Sequence, residues 1–140
     1  MWLIFALLSA ITAALVGVFG KVGLQNVDAN TATAVRAAIM AAFLIGVAAV
    51  QGKLSMVSDI LADRRAFAFI CLSGVAGALS WLFYFWALKY GKVTQVAPVD
   101  KLSVVFAALI AMAFLGERVS PLGAAGIATI AAGAIMVAFS

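Results

Sequence analysis

Between Thr94 and Leu115 runs an apolar stretch of about 22 residues, which as a helix spans the ~30 Å hydrocarbon layer of a bilayer. It carries Asp100 and Lys101 side by side. Thr94 is placed to cap its start, and Pro98 falls about one turn in, where few backbone bonds are lost. Gly116 is placed to end the helix, and Ser120-Pro121 reads as the N-cap and first residue of the next. Asp100 and Lys101 then lie about 9–10 Å along the axis. A charge at that depth is costly, and this makes the pair the first pointer to function.

The rest of the chain is of the same kind. Of its 140 residues, 67% are hydrophobic and 10% charged, and the mean hydropathy is +1.24. Such a composition excludes a soluble domain and places the chain in the membrane class. At about 20 residues per crossing, five spans nearly exhaust the length. The apolar runs are continuous rather than alternating, which favours helices over a β-barrel. The expected fold is an all-α integral membrane bundle, one domain over residues 1–140, with helices at about 2–20, 30–50, 66–90, 94–115 and 121–139. The opening MWLIFALLSAI lacks a basic flank and reads as the first span rather than a cleaved signal. Asn30 or Thr31 is expected to cap the second helix, and Ser58 to Ala62 to form an interfacial turn in the longest loop.

Several function classes are disfavoured. The single Cys71 has no partner for an internal disulfide, and its apolar neighbours suggest a packing residue. With no His and one Cys, a soft-metal site is not expected, and no cofactor is implied. The net charge of +4 is dispersed over loops without a basic run, which argues against nucleic acid as a partner. No nucleophile–base pair is visible, so an enzyme is not expected.

What remains is the intramembrane charge. Successive spans alternate in direction, so the second and fourth enter from the same side. Arg36 lies about six residues into one and Asp100 about six into the other, which puts Arg36, Asp100 and Lys101 at one level. Arg36 offers a planar fork to the Asp100 carboxylate, with Lys101 about 100° round its helix. The alternatives are a structural ion pair and a binding or coupling site. The three charges sum to +1 and favour an anionic or zwitterionic group, unless Lys101 snorkels away.

Steps of three and four from Asp100 give Ser103, Ala107 and Ala111, and the third span carries Ser73, Gly77, Ser80 and Tyr84 in the same spacing. Such strips pack helices tightly, the more usual explanation, or leave a groove for a ligand. Trp81 and Tyr84 either line a cavity or belong to an interfacial belt. The fifth span has two small faces, through Ala125, Thr129 and Gly133 and through Ala124, Ala128 and Ala132, suited to close contact on both sides. Glu117-Arg118 reads as a local pair beside a turn.

Trp86-Ala-Leu-Lys-Tyr-Gly91, Gln95-Val-Ala-Pro98 and Phe114-Leu-Gly-Glu-Arg-Val-Ser120, with Gly126 and Gly133 beyond them, resemble the second half of an EamA domain of the drug/metabolite transporter superfamily. Lys21 and Arg36 fall where such domains often carry basic residues. The resemblance covers essentially the whole chain and is stronger in the last three helices. It implies a secondary transporter of small metabolites or drugs. Larger members carry two five-helix units, the second inverted, and this chain resembles the single-unit subgroup. It departs from the larger members at Val99-Asp100-Lys101-Leu102, and it lacks the Glu that small multidrug members carry in their first helix, which argues against proton-coupled cation export.

The leading expectation is therefore an alternating-access transporter in a bacterial or archaeal cytoplasmic membrane, with Arg36, Asp100, Lys101, Ser103, Ser73, Ser80, Trp81 and Tyr84 as candidate site residues. The other readings are a flippase for a phosphate-bearing lipid carrier and a non-transporting membrane scaffold. The expected partners are membrane lipid, a small-molecule substrate and a second copy of the chain inserted in the opposite direction; the alternative is a parallel dimer or a monomer with its N-terminus in the cytoplasm. Lys53, Arg64, Arg65 and Arg118 lie on the N-terminal side and Lys21, Lys89 and Lys92 on the other, a bias too small to fix one orientation.

Overall fold

The computed structural model describes residues 1–140, and every regular element is helical. Five helices are long and apolar enough to cross a membrane: Trp2–Gly23, Ala29–Val50, Arg64–Tyr90, Val93–Leu115 and Pro121–Ala138, here the first to fifth spans. Their ends differ from the sequence expectation by at most three residues. The protein is an all-α, multi-pass integral membrane protein.

The differences at the ends have local causes. The second span is capped by Asp28, not by Asn30 or Thr31. One Asp28 carboxylate oxygen accepts the Thr31 N–H at 2.9 Å and the Thr31 hydroxyl at 3.1 Å. A carboxylate satisfies an orphan donor there and also favours the positive end of the helix. The third span starts early because Asp63 accepts the N–H groups of Arg65 and Ala66 at 3.0 and 3.1 Å. Thr94 does not cap the fourth span; Lys92 takes the N-cap position with no side-chain bond. The Ser120 hydroxyl accepts the Gly123 N–H at 3.1 Å with Pro121 following, as the sequence led us to expect. In the longest loop a 3₁₀ turn, Leu54–Met56, leads into a short helix, Val57–Ala62.

The helices cluster into two units, residues 1–22 with 90–140, and residues 23–89. In the first unit the fourth and fifth spans form an antiparallel packed pair. The Lys21 ammonium donates to the Gly91 carbonyl at 2.8 Å, which ties the end of the first span to the turn before the fourth. In the second unit the second and third spans run antiparallel and are joined at one end. There the Trp86 indole N–H donates to Asn30 Oδ1 at 2.6 Å, and Leu24, Ala29, Phe85 and Leu88 are buried. Elsewhere the two spans expose large apolar side chains such as Ile39, Phe43 and Phe69. A hydrocarbon solvent suits that surface as water would not.

The fourth span is not one continuous α-helix. Its first segment, Val93–Asp100, contains Pro98, which has no N–H to offer the Thr94 carbonyl. The backbone then tightens into bonds between residues three apart, Lys101 N–H to Pro98 O and Leu102 N–H to Val99 O, each 3.0 Å. An α-helix resumes over Ser103–Ile110, and a π-helical turn, Ala111–Leu115, closes the span. Gly116 ends it at φ +67°, the left-handed conformation that suits a residue without a Cβ. The break falls on Asp100 and Lys101.

Candidate functional site: an intramembrane groove around Arg36

Starting beside their joined end, the second and third spans leave an open groove of about 600 Å³. The second span supplies Asn30, Thr33, Arg36 and Met40 at helical spacing, and the third supplies Gly77 and Trp81. Gly74 and Gly77 make room there: a Cβ added at either would meet nothing within 4 Å. The small residues of this strip thus widen a groove rather than draw two backbones together. The same holds at Gly126 and Gly133 of the fifth span, where an added Cβ also meets open space.

Arg36 lies over aromatic faces. Its guanidinium carbon is 3.6 Å from the Trp81 ring centroid and 5.4 Å from that of Phe85. The negative face of an indole attracts the cation, and the contact is stronger where water is excluded. Trp81 is itself braced edge-on by Tyr84, at 5.5 Å and 81°, and by Phe85, at 6.1 Å and 86°. Arg36 also lines a smaller hollow of about 330 Å³ with Val35, Ile39 and Met40. No carboxylate lines either space.

Asp100 and Lys101 sit at the break in the fourth span, their charged atoms 3.2 Å apart. Both side chains are partly exposed, at 35% and 55%. Ser103 opens the helical segment that follows. Among the residues expected from sequence, the structure brings Trp81 to Arg36 and Lys101 to Asp100. Arg36 belongs to the unit of residues 23–89 and Asp100 to the other. Ser73 and Ser80 are exposed and do not line the groove. Cys71, expected to be a packing residue, is exposed as well. Sequence reasoning passed over Thr33 and Met40 and took Asn30 only as a cap. Their spacing with Ala37, at steps of three and four, was the available signal.

Five membrane-spanning helices define a polytopic membrane protein, and its unit of residues 23–89 holds a cation over an aromatic ring beside an open groove. The chain belongs to the EamA-like transporter family, whose family model matches residues 1–139. It is a membrane transporter of the drug/metabolite transporter superfamily. A relative from a Sinorhizobium species, named as an uncharacterized transporter in the cobO 3' region, is 42% identical over 137 residues, covering 98% of this chain and 96% of the relative. No solved structure matches it.

Proposed function

We propose that the protein moves a small solute across a bacterial cytoplasmic membrane by alternating access, with the Arg36 groove as its substrate site. The observation that carries this reading is the seat of Arg36. An ionisable group within a span is costly, and this one is held over Trp81 at 3.6 Å beside an open groove instead of being neutralised by a carboxylate along it. A purely structural cation would be expected against a carboxylate or a carbonyl. The Asp100–Lys101 pair at the break in the fourth span is the coupling element of this reading, because interrupted spans present backbone and charge where transporters bind ions.

The working unit of this reading is a homodimer of oppositely inserted copies. An odd number of spans places the two ends of the chain on opposite faces, and an inverted pairing gives the site access to both sides by symmetry. The small difference in loop charge lets both orientations insert.

The test is flux in proteoliposomes. Wild-type protein should accumulate a charged solute down an imposed gradient with saturable kinetics, and Arg36→Gln should lose that flux while its melting curve shows a folded protein. Equal flux through wild type and Arg36→Gln would remove the groove from the pathway.

A further inference from the structure

The polar inventory of the groove is lopsided. Arg36 brings five N–H groups, and none is accepted by a protein oxygen. Asn30 already accepts the Trp86 N–H at 2.6 Å on its carbonyl oxygen, so what it offers a ligand in full is its NH₂, beside one remaining lone pair. Thr33 has committed its proton to the Ala29 carbonyl at 2.7 Å and keeps only a hydroxyl oxygen. The rest of the lining is aliphatic or aromatic, with Met40 and Trp81 the largest parts of it. No acidic residue lines the groove, so its formal charge is +1. Donors and one cation at a single spot, over an otherwise apolar trough, describe a mirror-image ligand.

We infer that the groove takes an amphipathic anion: one carboxylate-, sulfonate- or phosphate-like head that only accepts hydrogen bonds, on a compact apolar body. This rests on the groove being the substrate site and names the class of substrate it selects. The head binds the Arg36 fork, which matches two anionic oxygens at once, and the Asn30 NH₂ adds a third donor. The body lies along Met40, Gly77 and Trp81, in the space that Gly77 leaves open. An ammonium ligand finds only the Thr33 hydroxyl oxygen and one lone pair of Asn30 Oδ1 for its three N–H groups, with a like charge beside it, so it is disfavoured. The same chemistry is offered by a soluble organic anion and by an anionic lipid head with its acyl chains.

Three ligands sharing one ring separate the possibilities: benzenesulfonate, uncharged benzenesulfonamide and cationic benzylammonium. Their binding is measured by calorimetry on the full chain in phosphatidylcholine nanodiscs. The expected ranking places benzenesulfonate first by about tenfold or more, the usual strength of a hydrogen-bonded charge contact. Arg36→Gln should abolish the ranking, and Arg36→Lys, which keeps the charge without the planar fork, should retain only part of it. The wild-type ranking alone decides the matter if Arg36→Gln proves unfolded. Repeating the titration in phosphatidylglycerol nanodiscs assigns the source. A weakened benzenesulfonate affinity there, with a smaller loss in Arg36→Lys, identifies lipid as the occupant, and an unchanged affinity identifies a soluble anion. Equal binding of the three ligands, a preference for benzylammonium, binding of none, or a ranking that survives in folded Arg36→Gln overturns the inference. Flux of the same ligands keeps the two readings apart. Arg36-dependent anion binding without flux overturns the transport reading alone, and saturable benzylammonium flux through the groove overturns the anion class alone.

Discussion

The Arg36 guanidinium lies 3.6 Å above the Trp81 ring, in an open groove between two membrane spans. In the proposed site, that contact seats the cation without a carboxylate partner and leaves its donors for the solute. Contacts of this kind are worth about 0.5–2 kcal/mol, or roughly 2- to 30-fold in affinity. Trp81→Ala should weaken benzenesulfonate binding by a factor in that range, and Trp81→Phe should weaken it less because a ring remains. Calorimetry on the two variants checks the order; an unchanged affinity in Trp81→Ala would show that the ring does not position Arg36.

Gly77 separates packing from pathway. Gly77→Ala adds a methyl into open space and replaces glycine within a helix, so it should stabilise the protein or leave it unchanged, by up to about 1 kcal/mol. Gly77→Leu should reduce flux by about tenfold or more by occupying the groove, with little loss of thermal stability. A large fall in melting temperature for Gly77→Ala would mean that the glycine is a close-packing residue after all.

Asp28 gives the fold a pH dependence of known sign. The Thr31 N–H, with its hydroxyl, holds the Asp28 carboxyl below its ordinary value of 3.8. A depressed carboxyl contributes stability that is complete above the unfolded value and is lost as pH falls through the folded one. Asp28→Ala should lower the melting temperature at pH 7 and flatten the decline at acid pH; Asp28→Asn, which keeps an acceptor but no titrating carboxyl, should lower it less and flatten the decline as fully. Melting curves between pH 3 and 7 check this, and identical curves for wild type and Asp28→Ala would contradict the cap.

The spans themselves were legible in the sequence because length and continuous apolarity suffice to specify a crossing. Gly116 and Ser120-Pro121 were legible too, since each answers a local demand of the backbone. The groove was not. The second and third spans are apolar on nearly every face, so no stripe fixes how each is rotated, and a strip such as Ser73, Gly77, Ser80 and Tyr84 reads as a contact or as a gap. Only the neighbouring helix decides, and here it leaves Gly77 uncovered and Ser73 and Ser80 outside. The break at Lys101 was hidden for a related reason. Pro98 marks a weak point in the fourth span, but the tightening falls three residues later, on residues that suit a helix well enough.

Asp100 is expected to matter more to flux than to stability. Its ion pair with Lys101 is between adjacent residues, both partly exposed, and pairs of that kind contribute about 0–1 kcal/mol. Asp100→Asn should therefore melt close to wild type while its flux falls. Flux indistinguishable from wild type would reduce Asp100 to a local structural role.

Whether the groove is an aqueous pathway or a seam filled by lipid chains is decided by one labelling measurement. Gly77→Cys in a Cys71→Ser background puts a single thiol in the groove, and membranes are treated with a charged, impermeant thiol reagent or with a permeant one. The expected result is rapid reaction with the impermeant reagent, slowed by benzenesulfonate in the presence of Arg36 and not in Arg36→Gln. Full reaction with the permeant reagent and none with the impermeant one would place Gly77 against lipid, and the groove would not be the route of transport.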